Sequence, residues 1–423
     1  MSVLPLRRAL LWLIAGLCWM SQAGAAPPQL LLPKSRLSPD EIAIIVNDRD
    51  PVSRRIGDYY RQARGIPRAN LIHVSLPPGR ATLRPARFEA IYREVQARTP
   101  PQVQAYALTW TTPFRVGCMS ITTAFAAGFD RQWCSAKRCA PTRRSPYFNS
   151  TSQQPWQELG LRPTMSIAGR DFDQARALID RGIASDASWP KGSAYLLETS
   201  DRRRSVRAPG FPFIARLFGR RLPVRLLKQD SLRDRDDVLF YFTGLPRVEG
   251  LDSLGFLPGA VADHLTSAGG ILTGKRQMTV LRWLEAGATG SYGTVVEPCN
   301  LPAKFPAPGV LMAHYLGGAS LVEAYWKSVA MPGEGLFVGE PLAAPFAGER
   351  LHEAKDGLLL ETHALRPGHY RLLAAATPVG PFRPLPSILQ VQAGQWRFRL
   401  PRVKAAYLKL EPVAAVSIHR PAP

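Results

Sequence analysis

The chain runs through two hydrophobic periods in turn. "IAIIV" (Ile42–Val46) is an unbroken apolar run of strand length. Asp50 and Pro51 follow it as a helix cap and first-turn proline, and Ile56, Tyr59, Tyr60 and Ala63 recur on one helical face until "GIP" (Gly65–Pro67) stops them. "NLIHVSL" (Asn70–Leu76) reads as a second strand. Phe88, Ile91 and Val95 mark a second amphipathic helix, and "VQAYALTW" (Val103–Trp110) a third strand. After a Ser/Thr/Pro-rich break over 111–160 the alternation resumes. A helix is predicted at about Phe172–Arg181, then the strand "SAYLLET" (Ser193–Thr199), a helix around Pro212–Phe218, and the strands "PVRLLKQ" (Pro223–Gln229) and "DVLFYFTG" (Asp237–Gly244). Next come "FLPGAVADHLTSAGG" (Phe256–Gly270), the helix "MTVLRWLEAG" and the strand "ATGSYGTVV" (Ala288–Val296). Ser320 opens a further helix with Glu323 three residues on, a capping box. "GLFVGEPL" (Gly335–Leu342) closes the series.

Strands and helices alternating through short links predict an α/β fold, a largely parallel sheet with helices on both faces. From about residue 346 the period changes. "GLLLETHAL", "GHYRLLAAA", "SILQVQAG", "QWRFRL" and "AAYLKLEPV" are short strands between Pro/Gly turns, which predicts a small antiparallel β-sandwich-like domain. The chain therefore divides into an α/β domain over 26–345, with the 111–160 insertion, and a β-rich domain over 346–423.

The first 25 residues read as a signal peptide. Arg7 and Arg8 precede the apolar "ALLWLIAGLCWM", and "AGA" (Ala23–Ala25) is a small-x-small cleavage site. The apolar run is shorter than the roughly 20 residues that span a bilayer, so no transmembrane anchor is expected after cleavage. The expected location is periplasmic or secreted. In such an oxidising compartment Cys118, Cys134 and Cys139, clustered in the insertion, are disulfide candidates, and the pairing preferred lies within that cluster. No Cys or His spacing suits a metal, and His352, His363, His369 and His419 are scattered over the β-rich part. Lys+Arg total 54 against 32 Asp+Glu, a net charge of +22. That excess admits an anionic envelope component as a partner, although arginine-rich coding alone also produces it. No nucleic-acid motif is present, and no phosphate-binding glycine loop follows the first strand, so neither nucleic acid nor any cofactor is expected.

Two resemblances follow from particular residues. "IVNDRDPVSRRIGDYYRQARGIPRANLIHV", "GATGSYGTVVEPCN" and "LVEAYWKSV…GLFVGEPLAAPF" resemble a family of exported bacterial proteins that supplies a shape but no reaction. More distantly, "YFTGLP" (Tyr241–Pro246), "PGAVADHLTSAGG", "WLEAGATGSYG", "SLVEAYWKS" and "GEP" (Gly339–Pro341) are similar in order to gingipain-type, caspase-like cysteine peptidases. That resemblance implies a caspase-like sheet followed by an immunoglobulin-like tail. Its chemistry is not retained: Leu245 and Pro246 stand at the His-Gly position, and Thr266 and Ser267 stand where Ser-Cys is expected.

Three readings of His264 remain. It could serve as base to Cys299, in the loop "VEPCN", with Glu297 or Asp263 orienting the ring, because an imidazole that takes the thiol proton leaves a nucleophilic thiolate. It could activate Ser267 or Thr266, although alternation along a strand sets His264 and Ser267 on opposite faces. Or it is a structural histidine at the rim of a cleft that lost its dyad and binds a peptide or glycan. The residues favour the third reading, with a thiol hydrolase of Cys299 and His264 as the alternative. Further cleft candidates are Asn47 and Asp48, at the first strand's end and equally readable as a capping and turn cluster, and Arg207 in the charged loop "DRRRSVR".

Overall fold

The computed structural model describes residues 28–413 apart from 138 and 393. The expected signal peptide lies outside the described residues. Ten strands build one sheet: β1 (Ile42–Asn47), β2 (Leu71–Val74), β3 (Ala105–Leu108), β4 (Thr164–Ser166), β5 (Ser193–Glu198), β6 (Val224–Lys228), β7 (Arg235–Thr243), β8 (Leu254–His264), β9 (Gly290–Thr294) and β10 (Gly335–Gly339). Their order is β6-β5-β7-β8-β9-β10-β4-β3-β1-β2. Neighbours from β6 to β9 are parallel, as are β4, β3, β1 and β2, while β10 runs antiparallel to β9. Every residue of β1, β3, β9 and β10 is buried. Burial on both faces is why β1, β3 and β10 lack the polar alternation of a half-exposed strand, while β9 fills its place with small residues and Tyr292.

The helix starts follow from their caps. Asp50 Oδ1 accepts from the Val52 and Ser53 amides and opens the helix Pro51–Arg64, which Gly65 ends in the left-handed region at φ 66°. The expected box at Ser320 and Glu323 caps Leu321–Ser328. Several elements lay beyond the periodicity, two of them next to the sheet's centre or packed on it. β4 is only three residues long, too short to carry a period, and Pro308–Leu316 is apolar on most sides, which leaves no amphipathic stripe to detect.

The C-terminal strands are β11 (Glu349–Ala354), β12 (Gly357–Thr362), β13 (Gly368–Ala375), β14 (Arg383–Val391), β15 (Arg397–Leu400) and β16 (Tyr407–Pro412). They form two small sheets, β11-β12-β15 and β14-β13-β16. Leu358, Leu360, Tyr370, Leu372, Phe398, Leu408 and Leu410 form one apolar cluster shared by the two. A strand from the other end of the chain completes the second sheet: Gln29–Leu31 adds in parallel to β16, and Leu30 enters the same cluster.

Two disulfides are present. Cys118 pairs with Cys134 inside the insertion, as preferred from sequence. Cys139 does not pair within the cluster. It reaches Cys299, 160 residues away, and ties the insertion to the loop after β9. Among the described residues no helix is long and apolar enough to cross a membrane.

Candidate functional site

A cleft of about 420 Å³ opens at the carboxyl ends of β5, β8 and β9, lined by Arg203, Arg204, Leu265, Thr266, Ser267, Glu297, Cys299 and Asn300. Open α/β sheets bind ligands at such edges, next to the point where strand order reverses, here between β5 and β7.

Close backbone packing assembles this cleft. The loop after β5 crosses over the end of β7. A side chain at Gly244 would meet the Arg204 carbonyl oxygen at 2.1 Å, so only glycine lets the loop lie there. That crossing brings Arg204 Nε to 3.2 Å from Thr266 Oγ1, while Asp201 Oδ2 holds Arg204 Nη1 at 2.6 Å. The loop after β8 is pressed onto β9 in the same way, because a Cβ at Gly293 would meet the Gly270 nitrogen at 2.5 Å. Thr294 Oγ1 then donates to the Ser267 carbonyl at 3.1 Å, and Thr266 Oγ1 donates to Gln277 Oε1 at 2.9 Å. The result is a wall of hydroxyls and arginine facing the loop that carries Glu297 and Asn300.

His264 lies beneath this wall and is 1 % exposed. Trp283 Nε1 can only donate, and does so to His264 Nδ1 at 2.8 Å; the Met278 carbonyl can only accept, and takes Nε2–H at 3.1 Å. One neutral tautomer satisfies both partners. Burial pushes the ring's pKa down to about 4, with Arg207 and Arg204 adding to the fall. The geometry thus corrects the catalytic assignment: both ring nitrogens are engaged, and neither faces a nucleophile.

Cys299 is corrected as well. It lines the cleft, but its sulfur is bonded to that of Cys139, so no thiolate forms there. Glu297 Oε1 accepts from the Cys299 amide at 2.8 Å and supports the loop, not an imidazole.

Asp263 points to the opposite face of the sheet from His264. Its Oδ1 lies 2.6 Å from Arg207 Nη2, which also donates to the Thr243 carbonyl at 2.8 Å, while Arg207 Nη1 reaches the Pro306 carbonyl at 3.2 Å. Both side chains are buried, so they form an internal ion pair and not a ligand-facing one. Burial holds the Asp263 pKa above the usual carboxylate value, and Arg207 opposes that rise.

Asn47 and Asp48 do not join the cleft. Four strands separate β1 from β8, which at the usual inter-strand spacing is roughly 24 Å. Asn47 Oδ1 instead accepts from the Leu76 amide at 2.9 Å, and Asp48 pairs with His73 at 2.6 Å. They are the turn cluster. Of the expected binding residues, the fold therefore gathers Ser267 and Glu297 with Cys299. Arg203 and Asn300 lie in the loops "DRRRSVR" and "VEPCN" already singled out from sequence, whereas Gln277 arrives from a loop without period or motif.

No protein-family model matches the chain, and no curated protein matches it. Two solved structures do. The crystal structure of the Arg specific cysteine proteinase gingipain R covers 89% of this chain and 99% of its own, at 8% identity and a TM-score of 0.46. A second structure, described as a protease, covers 89% of this chain and 98% of its own, at 9% identity and a TM-score of 0.39. At these scores the likeness transfers no residue role.

Proposed function

We propose that this is an exported, non-hydrolytic binding protein that holds a segment of peptide or glycan in the cleft between the loops after β5, β8 and β9. The observation that carries this reading is a polar cleft without a nucleophile–base pair: its cysteine is bonded to Cys139 and its nearest histidine is engaged at both nitrogens. Hydroxyls at Thr266 and Ser267 suit amide or sugar groups. Arg203 and Arg204 suit a carboxylate carried by either ligand. Two disulfides fit an oxidising location, periplasmic or secreted. A caspase-like ancestry fits the strand order, with the dyad positions replaced.

The test is titration of the oxidised protein with acidic peptides and with oligogalacturonate, beside a hydrolysis assay on fluorogenic peptides. Binding is expected without turnover, and Arg204→Gln is expected to weaken it about tenfold, the effect of one charge-assisted hydrogen bond. Turnover by the oxidised protein that His264→Gln abolishes would overturn the reading. So would the absence of binding to either ligand class.

A further inference from the structure

A larger cavity lies elsewhere. A space of about 960 Å³ separates the α/β unit from the C-terminal sheets, lined on one side by the ends of the helices Phe211–Phe218, Pro308–Leu316 and Leu321–Ser328, and on the other by the loops after β12 and β14. Five cations line it: Arg216, Arg220, Arg221, Lys327 and Arg366. Among the described residues no carboxylate does.

None of the five is neutralised by an acidic partner at ion-pair distance among the described residues. Three turn donors toward backbone carbonyls instead: Lys327 to Ser152 at 2.9 Å, Arg366 to Thr151 at 2.9 Å, and Arg221 to Leu316. Three further buried atoms on lining residues have no partner at all, namely Arg221 Nε, His363 Nδ1 and Gln153 Oε1. Buried polar atoms are rarely left in that state, and two of these three are nitrogens. The field is correspondingly positive. Burial pushes the Lys327 ammonium down to about 8, with Glu323 and Glu158 opposing the fall and Arg366 and Lys34 adding to it. Burial, with Lys327 and Arg366, pushes His314 down to about 3; burial, with Arg221 and Arg350, does the same to His363.

Clustered cations, an orphaned donor at Arg221 Nε and the lack of a carboxylate describe a site missing its counter-charge. From these we infer that the cavity between the two units binds a ligand carrying two or more oxyanion groups, as phosphate, sulfate or carboxylate. The volume admits a chain of several such groups and exceeds what one phosphate fills. Because residues of both units line the cavity, a bound oligoanion bridges them.

The experiment is calorimetric titration of the full oxidised protein with three probes, inorganic tripolyphosphate, a sulfated heparin tetrasaccharide and trigalacturonate, with maltotriose as the neutral control. At least one charged probe is expected to bind and maltotriose is not; which one binds identifies the oxyanion. The exposed pair Arg216→Gln and Arg366→Gln is expected to weaken that binding by tenfold or more with the unliganded melting temperature unchanged. The distant exposed pair Arg87→Gln and Arg383→Gln is expected to leave it unaltered. Arg204→Gln, in the cleft, is expected to leave tripolyphosphate and heparin binding unaltered, which separates this site from the one proposed above. The inference is overturned if no charged probe binds, or if the distant pair weakens binding as much as the cavity pair does, since the binding then belongs to the basic surface as a whole.

Discussion

The cleft and the cavity beside the C-terminal sheets treat their charged groups in opposite ways. Under the cleft the buried cation has an acid beside it: Arg207 lies against Asp263 Oδ1, and His264 is neutral between one donor and one acceptor. Around the cavity lie five cations, of which Arg216, Arg220 and Arg366 are exposed and Lys327 is buried, with no acid among the described lining residues. Removing a charge from water is costly unless it is paired. The paired set beneath the cleft accordingly acts as framework, while the unpaired set around the cavity is a place for something else to bring negative charge. Histidine or arginine in a pocket is therefore not by itself a sign of function. What distinguishes the two regions is whether the protein supplies a carboxylate to face its own cations.

The sharpest ways to break this comparison lie on the framework side. Replacing Cys139 and Cys299 by serine reopens a loop of 160 residues. Chain entropy puts that cost at about 5 kcal/mol, against about 3 kcal/mol for the 16-residue loop of Cys118 and Cys134. Equilibrium denaturation of the two double variants measures the difference, and an equal loss would mean that the unfolded chain already keeps the insertion close to the cleft loop.

Arg207→Met strands Asp263 in the interior and is expected to cost about 3–5 kcal/mol, most of it recovered when Asp263→Leu is added. A single variant as stable as the parent would mean that Asp263 does not depend on its partner.

The pH dependence follows from the depressed histidine. The folded pKa of His264 is about 4, below the unfolded value of 6.5. Between those values the unfolded chain binds a proton that the folded chain refuses, so stability falls as pH drops from 6.5 to 4, by about 3 kcal/mol. His314 and His363 act in the same direction. His264→Gln keeps one acceptor and one donor, and is expected to reduce the slope across that window in denaturation midpoints measured from pH 7 to 4, with the remainder left to His314 and His363.

The smallest effect is expected at the cavity. Arg366→Gln removes a cation that has only a backbone carbonyl for a partner. Unliganded stability is expected to change by no more than about 0.5 kcal/mol. A large loss would place Arg366 with the framework and remove the contrast between the two regions.

Legibility followed the range of each interaction. The cap at Asp50, the box at Ser320 and Glu323 and the strand–helix alternation could be read because each depends on neighbours a few residues apart. The cluster Asn47–Asp50 was legible in both its senses, and the turn-and-cap sense is the one observed. The partner of Cys139, the ring contacts of His264 with Trp283 and Met278, and the seating of Gln29–Leu31 beside β16 could not be read, because each joins segments that no local period connects.

By itself the sequence determined the layered α/β class, the change to short antiparallel strands after residue 346, and the cysteine-bearing insertion, because hydrophobic period and turn chemistry act along the chain. The tertiary structure decided which side chains share a rim and which charges go unpaired. Those depend on how close remote loops come, and that is set by backbone contacts such as Gly244 under Arg204 and Gly293 against Gly270, which leave no trace in the spacing of residues.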